Sequence, residues 1–173
     1  MNKKLIMIGA VLFLFAGCAT FESREVKEQK YGKAAPVIEQ SFASKFMTKG
    51  NTWKIYLKAS DSDGDMKSIF SDLSEGRRGG GGFTSFTRIK PENTKELSGY
   101  IHWYPGPDIE YYSVVVMTVQ IEDMAGHFSS PVSFPLKIQT SGKQETPPQG
   151  IFQEKDLGPI MITIKPMIGD GGL

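Results

Sequence analysis

Asp61, Asp63 and Asp65 alternate around Gly64 in the stretch Asp61-Ser62-Asp63-Gly64-Asp65. Carboxylates at alternate positions of a tight turn are what a hard cation takes. Ca2+ collects roughly six to eight oxygens, largely from carboxylates and carbonyls. The stretch is not an EF-hand: glycine is at its fourth position, Met66 at the sixth, and no Glu at the twelfth. The same side chains can instead cap backbone N–H groups of an ordinary bend, so both readings stand.

The other chemistry-bearing residues are sparser. His102 and His127 are the only histidines. His102 lies between Ile101 and Trp103, which puts it on the wetter face of a strand. No Gly-x-Ser-x-Gly elbow and no His-Glu-x-x-His zinc pattern occurs. Asp108 and Glu110 sit in a Pro/Gly turn that does not fix the separation glycosidase acids require. Arg77-Arg78 before Gly79–Gly82 lacks the Lys-Ser/Thr ending and helix of a phosphate loop, and reads as a hairpin tip. Tyr100, Trp103, Tyr104, Tyr111 and Tyr112 gather around one turn. They can anchor a sugar or a partner protein, or supply core. These features together argue against an enzyme.

Cys18 is the only cysteine, so no intramolecular disulfide is possible. It ends a three-part start: Lys3-Lys4, an apolar run from Leu5 to Phe15, then Ala16-Gly17-Cys18. That is the layout of a secretory signal. Its apolar part is about half the twenty residues a spanning helix needs. Phe15-Ala16-Gly17-Cys18 resembles the bacterial lipobox, with Phe15 where the family pattern prefers Leu. The resemblance implies cleavage before Cys18, a diacylated sulfur and a lipid anchor in the cell envelope. Several acyl chains hold stably where one is marginal. Ala19 follows the cysteine rather than Asp, and in the family this points to the outer membrane.

The elements that must position these residues are strands. Of 20 basic and 19 acidic residues, two basic ones and no acidic one precede Cys18, so the remainder carries net −1. Such a chain has no general pull on nucleic acid. Trp53, Ile55, Leu57 and Ala59 alternate with polar neighbours, as do Leu97, Gly99, Ile101 and Trp103. Val132, Phe134, Leu136 and Ile138 alternate likewise; Val115, Met117, Val119 and Ile121 would point one way, while Val114 and Val116 suggest that the other face of that strand is also partly covered. Period two buries one face of each strand. Val37-Ile38 and Phe83–Ile89 suggest further strands; Met66–Leu73 is apolar without clean alternation. Pro131 and Pro135 predict an edge strand or a bulge. Leu157–Ile164 reads as one more short strand.

Strands joined by short turns favour an antiparallel sandwich. The segment Trp53 to Asp65 resembles the B strand and following turn of bacterial immunoglobulin-like and cadherin-like domains. Val119 to Ser130 is similar to their F strand and F–G turn, with His127 where Asn is usual. The likeness spans roughly residues 36–139. It implies an all-β immunoglobulin-like fold and places Asp123 at the same end as Asp61, Asp63 and Asp65, as a fourth candidate calcium ligand. The expected organisation is a signal at 1–17, lipidated Cys18 and a flexible polar tether at 18–34, a sandwich at 35–140, and a linker with a short strand and tail at 141–173. The expected function is a non-catalytic binding or assembly module at the envelope, facing a protein or polysaccharide. The alternative is a calcium-stabilised spacer; an uncharacterised hydrolase comes third.

Overall fold

Alternation along the strands is what builds the two sheets. In the computed structural model, which describes residues 22–75, 82–106 and 114–164, the strands are β1 (Val37–Ala43), β2 (Phe46–Thr48), β3 (Trp53–Ser60), β4 (Met66–Glu75), β5 (Phe83–Arg88), β6 (Glu96–Trp103), β7 (Val114–Asp123), β8 (Val132–Gln139) and β9 (Asp156–Pro159). One sheet has the order β1-β3-β6-β9 and the other β2-β8-β7-β4-β5. Successive early segments β1 and β2 thus join opposite sheets, and β2 runs parallel to β8. The result is an immunoglobulin-like β-sandwich.

The inward residues are those the period picks out. Trp53, Ile55, Leu57 and Ala59 of β3 meet Val115, Met117, Val119 and Ile121 of β7 in one buried core. Trp53 and Trp103 pack edge to face, 6.4 Å between ring centres. Each indole N–H donates to a backbone carbonyl, Ser44 at 2.8 Å and Ile162 at 2.9 Å, so neither aromatic leaves a buried donor unpaired. Pro135 is tolerated because β2 pairs only with Lys137–Gln139, which leaves the Pro135 half of β8 with a free edge among the described residues; Pro131 lies just before the strand.

β4 departs from strict alternation because its register with β7 shifts between Met66 and Ser68. This bulge lets Met66 and Ile69 both be buried, with Leu73 following in phase. Residues beyond 140 do not form an appendage. β9 adds to β6 in parallel, close enough that a Cβ at Gly99 would strike the Lys155 carbonyl. The chain then covers the flank between the sheets with Ile160, Ile162 and Ile164, while Met161 points out. The strand expected over Leu157–Ile164 is paired only to Pro159, and the boundary expected at residue 140 divides what one core joins.

The tether holds another difference. Arg24–Tyr31 is a helix, α1, not coil. The Ser23 hydroxyl accepts from the Val26 N–H as its N-cap, and Arg24 pairs with Glu28 at 3.0 Å. Eight residues do not hold a helix alone in water; its contacts with the sandwich supply the rest. Among the described residues no helix is long and apolar enough to cross a membrane.

Candidate functional site

β3 ends at Ser60 and β7 at Asp123, at the same end of the sandwich, so the turns after them face each other. Asp61, Asp65 and Asp123 converge there, each offering a carboxylate oxygen within 4.8 Å of the others'. Asp61 and Asp123 are almost wholly buried and Asp65 partly so. Asp63 is not among them. Its carboxylate accepts the Ala34 N–H at 2.8 Å and fastens the chain behind α1. Gly32 makes that approach possible: its φ is 108°, and a Cβ there would overlap the Asp63 carboxylate.

The oxygens of the cluster divide into paired and unpaired. Asp61 Oδ1 accepts the Asp63 N–H at 2.9 Å. Asp65 Oδ2 accepts the Met124 N–H at 3.2 Å. Asp123 is engaged on both oxygens: Oδ1 accepts the Gly126 and His127 N–H groups at 2.6 and 2.8 Å, and Oδ2 meets His127 Nδ1 at 2.7 Å. Asp61 Oδ2 and Asp65 Oδ1 are buried with no partner. An unpaired buried oxygen is unfavourable by about 1–3 kcal/mol, more when charged. Two of them side by side call for either a proton or a cation. Burial first, then the charges of Asp123 and Asp61 and a hydrogen bond with Asp61, push the Asp65 carboxyl up to about 6.

Opposite the carboxylates stands a histidine clasp. His127 is buried, with Nδ1 on Asp123 and Nε2 3.2 Å from Glu28 Oε1 of α1. Two carboxylate acceptors suit an imidazolium donating from both nitrogens. The Asp123 hydrogen bond is the main cause holding the His127 pKa above its usual value, against burial, with Glu28 adding to it. The His127 hydrogen bond in turn lowers Glu28. Asp123 is thus neutralised from one side and Asp61–Asp65 are not. Sequence reasoning missed this role of His127; the signal was His127 four residues after Asp123 in a turn, a reach that suits side-chain pairing.

The remaining expected site residues scatter. Trp103 lies in the core, not on a surface. Tyr100 sits on the outer face of the four-stranded sheet, against Tyr56 and His102, with Lys54 Nζ 3.9 Å from its ring centre. Tyr104 is exposed. Alternation alone separates Tyr100 from Trp103, so they form no common patch. Tyr111, Tyr112, Cys18, Asp108, Glu110 and the Arg77–Gly81 tip lie outside the described residues. His102 pairs with Asp156 at 3.1 Å, on the partly wet face expected for it.

A different aromatic group is uncovered. Phe70 of β4 is opposite Phe86 of β5, 5.1 Å between ring centres, and 6.2 Å from Phe128. Phe86 is 61% exposed and Phe128 45%.

No family model and no curated protein matches the chain. Among solved structures it is similar to the PKD domain of an M14-like peptidase from the Thermoplasmatales archaeon SCGC AB-540-F20. That match has 16% identity and a TM-score of 0.40, covering 61% of this chain and 96% of that one. A second likeness is to a CARDB domain from Pyrococcus furiosus, in complex with di-metal ions. There identity is 6% and the TM-score 0.32, covering 61% of this chain and 89% of that one.

Proposed function

We propose that the chain is an envelope lipoprotein, anchored in the outer membrane by lipid on Cys18, whose sandwich is a non-catalytic binding or assembly module. The observation that carries the binding role is the Phe70–Phe86–Phe128 patch. Soluble domains keep large apolar rings out of water unless something covers them, and clustered exposed aromatics mark interaction sites. The rings meet at 62° and 82°, so they offer no flat platform for a sugar. Interdigitated edges and faces suit apolar side chains of a protein, which favours an envelope protein over a polysaccharide. A photocrosslinking residue at Phe86 in intact cells tests this. A discrete product that disappears with Phe128→Asp is expected, with none from the same residue at Met161, which is exposed elsewhere. No product, or an equal product from both positions, would overturn it.

The convergence of Asp61, Asp65 and Asp123 favours a second reading, a calcium-stabilised spacer. The donor set suits a hard cation: oxygens only, two of them unclaimed, in a pocket of net negative charge. Asp61 Oδ2 and Asp65 Oδ1 would be the principal ligands, with Asp123 contributing a remaining lone pair. A cation there would supply charge neutralisation and so stability. Melting in chelator against 5–10 mM Ca2+, about ten times the weak end of extracellular affinities, tests it. A rise abolished by Asp65→Ala and kept by Asp63→Ala fits the geometry. No rise removes the reading.

A further inference from the structure

Between α1 and the acidic end of the sandwich lies a groove of about 680 Å3. Tyr31, Met66, Ile89 and Met124 form much of its apolar lining; Lys67, Arg88 and Lys90 stand among the lining residues against one carboxylate, Asp65. Arg88 and Lys90 are exposed, and neither has an acidic partner among the described residues. An apolar floor with unpaired positive charge at its rim suits an amphipathic anion.

Where this groove lies follows from chain length, and here the inference rests on lipidation of Cys18. Only Ala19, Thr20 and Phe21 separate Cys18 from Glu22, a span of at most about 14 Å. Two residues further on, α1 begins; it is roughly 12 Å long and is fastened to the sandwich by Glu28–His127 at one point and by Ala34–Asp63 beyond its end. The strands are up to ten residues, roughly 33 Å. The short leash therefore brings the α1 end, not the opposite end, against the bilayer. That end also carries exposed Val26 and Met124, 48% and 40% accessible, apolar side chains fit to enter an interface.

We propose that the α1 end is a membrane-docking face and that its groove seats the headgroup of an anionic phospholipid, the phosphate held by Arg88 and Lys90 and the glycerol and upper acyl carbons by Tyr31, Ile89 and Met124. Arg88 and Lys90 add long-range attraction to a negative leaflet; Lys67 adds less, being already paired with Glu122 at 3.0 Å. The lipid anchor fixes the protein at the membrane, and the groove fixes which way it stands.

The test uses a chain beginning at Ala19, which keeps every described residue and has no acyl group, in flotation with vesicles of phosphatidylcholine alone or with 30% phosphatidylglycerol. Binding to the anionic vesicles only is expected. Arg88→Gln with Lys90→Gln should weaken it about twenty-five-fold, near fivefold for each surface charge, with an unchanged melting curve. Met124→Ser should weaken it without altering net charge. Equal retention on both vesicle types, no retention on either, or a double variant that binds as wild type overturns the proposal. If that double variant fails to fold, Arg88→Gln alone carries the same test with a fivefold expectation. Mass spectrometry of the mature N-terminus of the full chain is read alongside. An unmodified Cys18 with intact vesicle binding would reject the anchor and keep the groove; a lipidated Cys18 without vesicle binding would do the reverse.

Discussion

Replacing Asp65 with Asn should stabilise this protein at neutral pH when divalent cations are removed. The folded state raises the Asp65 carboxyl from 3.8 to about 6. A carboxyl raised in this way is destabilising once ionised. Between the two values the folded chain binds the extra proton, so stability falls as pH rises from near 4 to near 6 and the loss is complete above that. A shift of about two units corresponds to about 3 kcal/mol at most. Asp65 is only partly buried, and solvent screening reduces this to roughly 1–2 kcal/mol. Asn keeps the oxygen that accepts from Met124 N–H. Its NH2 replaces the unpartnered Oδ1 and can donate to Asp61 Oδ2, the other orphan. Thermal unfolding in chelator should thus show the variant melting roughly 3–6 °C higher at pH 7.5, with the gap nearly closed at pH 4. In Ca2+ the order should reverse if a cation binds, because the variant loses a charged ligand. A variant less stable than wild type at pH 7.5 in chelator, or a gain equal at both pH values, would refute the charge argument.

Other outcomes follow from the same geometry. Wild-type protein should partition into detergent and Cys18→Ala should stay unprocessed; an unmodified Cys18 in the mature protein rejects the anchor. Trp103→Ala should lower stability by about 3–5 kcal/mol, since it empties the core and frees the Ile162 carbonyl; a loss under about 1 kcal/mol in urea unfolding would place the ring outside the core. The α1 clasp should depend on pH in a definite window. His127 is raised, so its contribution is complete below 6.5 and lost as pH climbs through the higher folded value. Glu28 is lowered, so its contribution is present above 4.5 and lost only as pH falls through the lower folded value. Trypsin should spare Lys27 and Lys30 at pH 6 and cut them faster at pH 8.5, beyond the protease's own pH response on an unstructured peptide. Glu28→Gln should be cut readily at both. Gly32→Ala should have a similar effect at every pH, by pushing Asp63 away from Ala34 N–H.

Much of the fold was legible because each main strand buries one face, and a period of two survives in the sequence wherever that is so. The buried residues of β3, β6, β7 and β8 are the alternating ones, except Tyr56, which is covered on the outer face by Phe42, Tyr100 and Phe152. The docking of helix α1 was not legible: its eight residues are mostly polar, which allows a short helix but gives it no apolar face to bury, and what holds it is Glu28 reaching His127, a partner 99 positions away. The acidic turn was half legible. Alternate positions put Asp61, Asp63 and Asp65 on one side of an extended chain, but this chain turns between them, and Asp63 swings to Ala34 while Asp61 and Asp65 face Asp123.

The half-buried, outward-facing Phe70 is the most instructive miss. Met66, Ile69, Phe70 and Leu73 look like one apolar set, and in a regular strand Met66 and Phe70 would share a face. The shift between Met66 and Ser68 exchanges the faces partway along β4. Beyond it Ile69, Ser71 and Leu73 point inward, and Phe70 is turned outward beside Phe86. The extra residue that buries Met66 with Ile69 is therefore also what turns outward the half-buried ring at the centre of the proposed partner surface. A bulge in this strand keeps core and surface apolar at once, and no regular period can encode that arrangement.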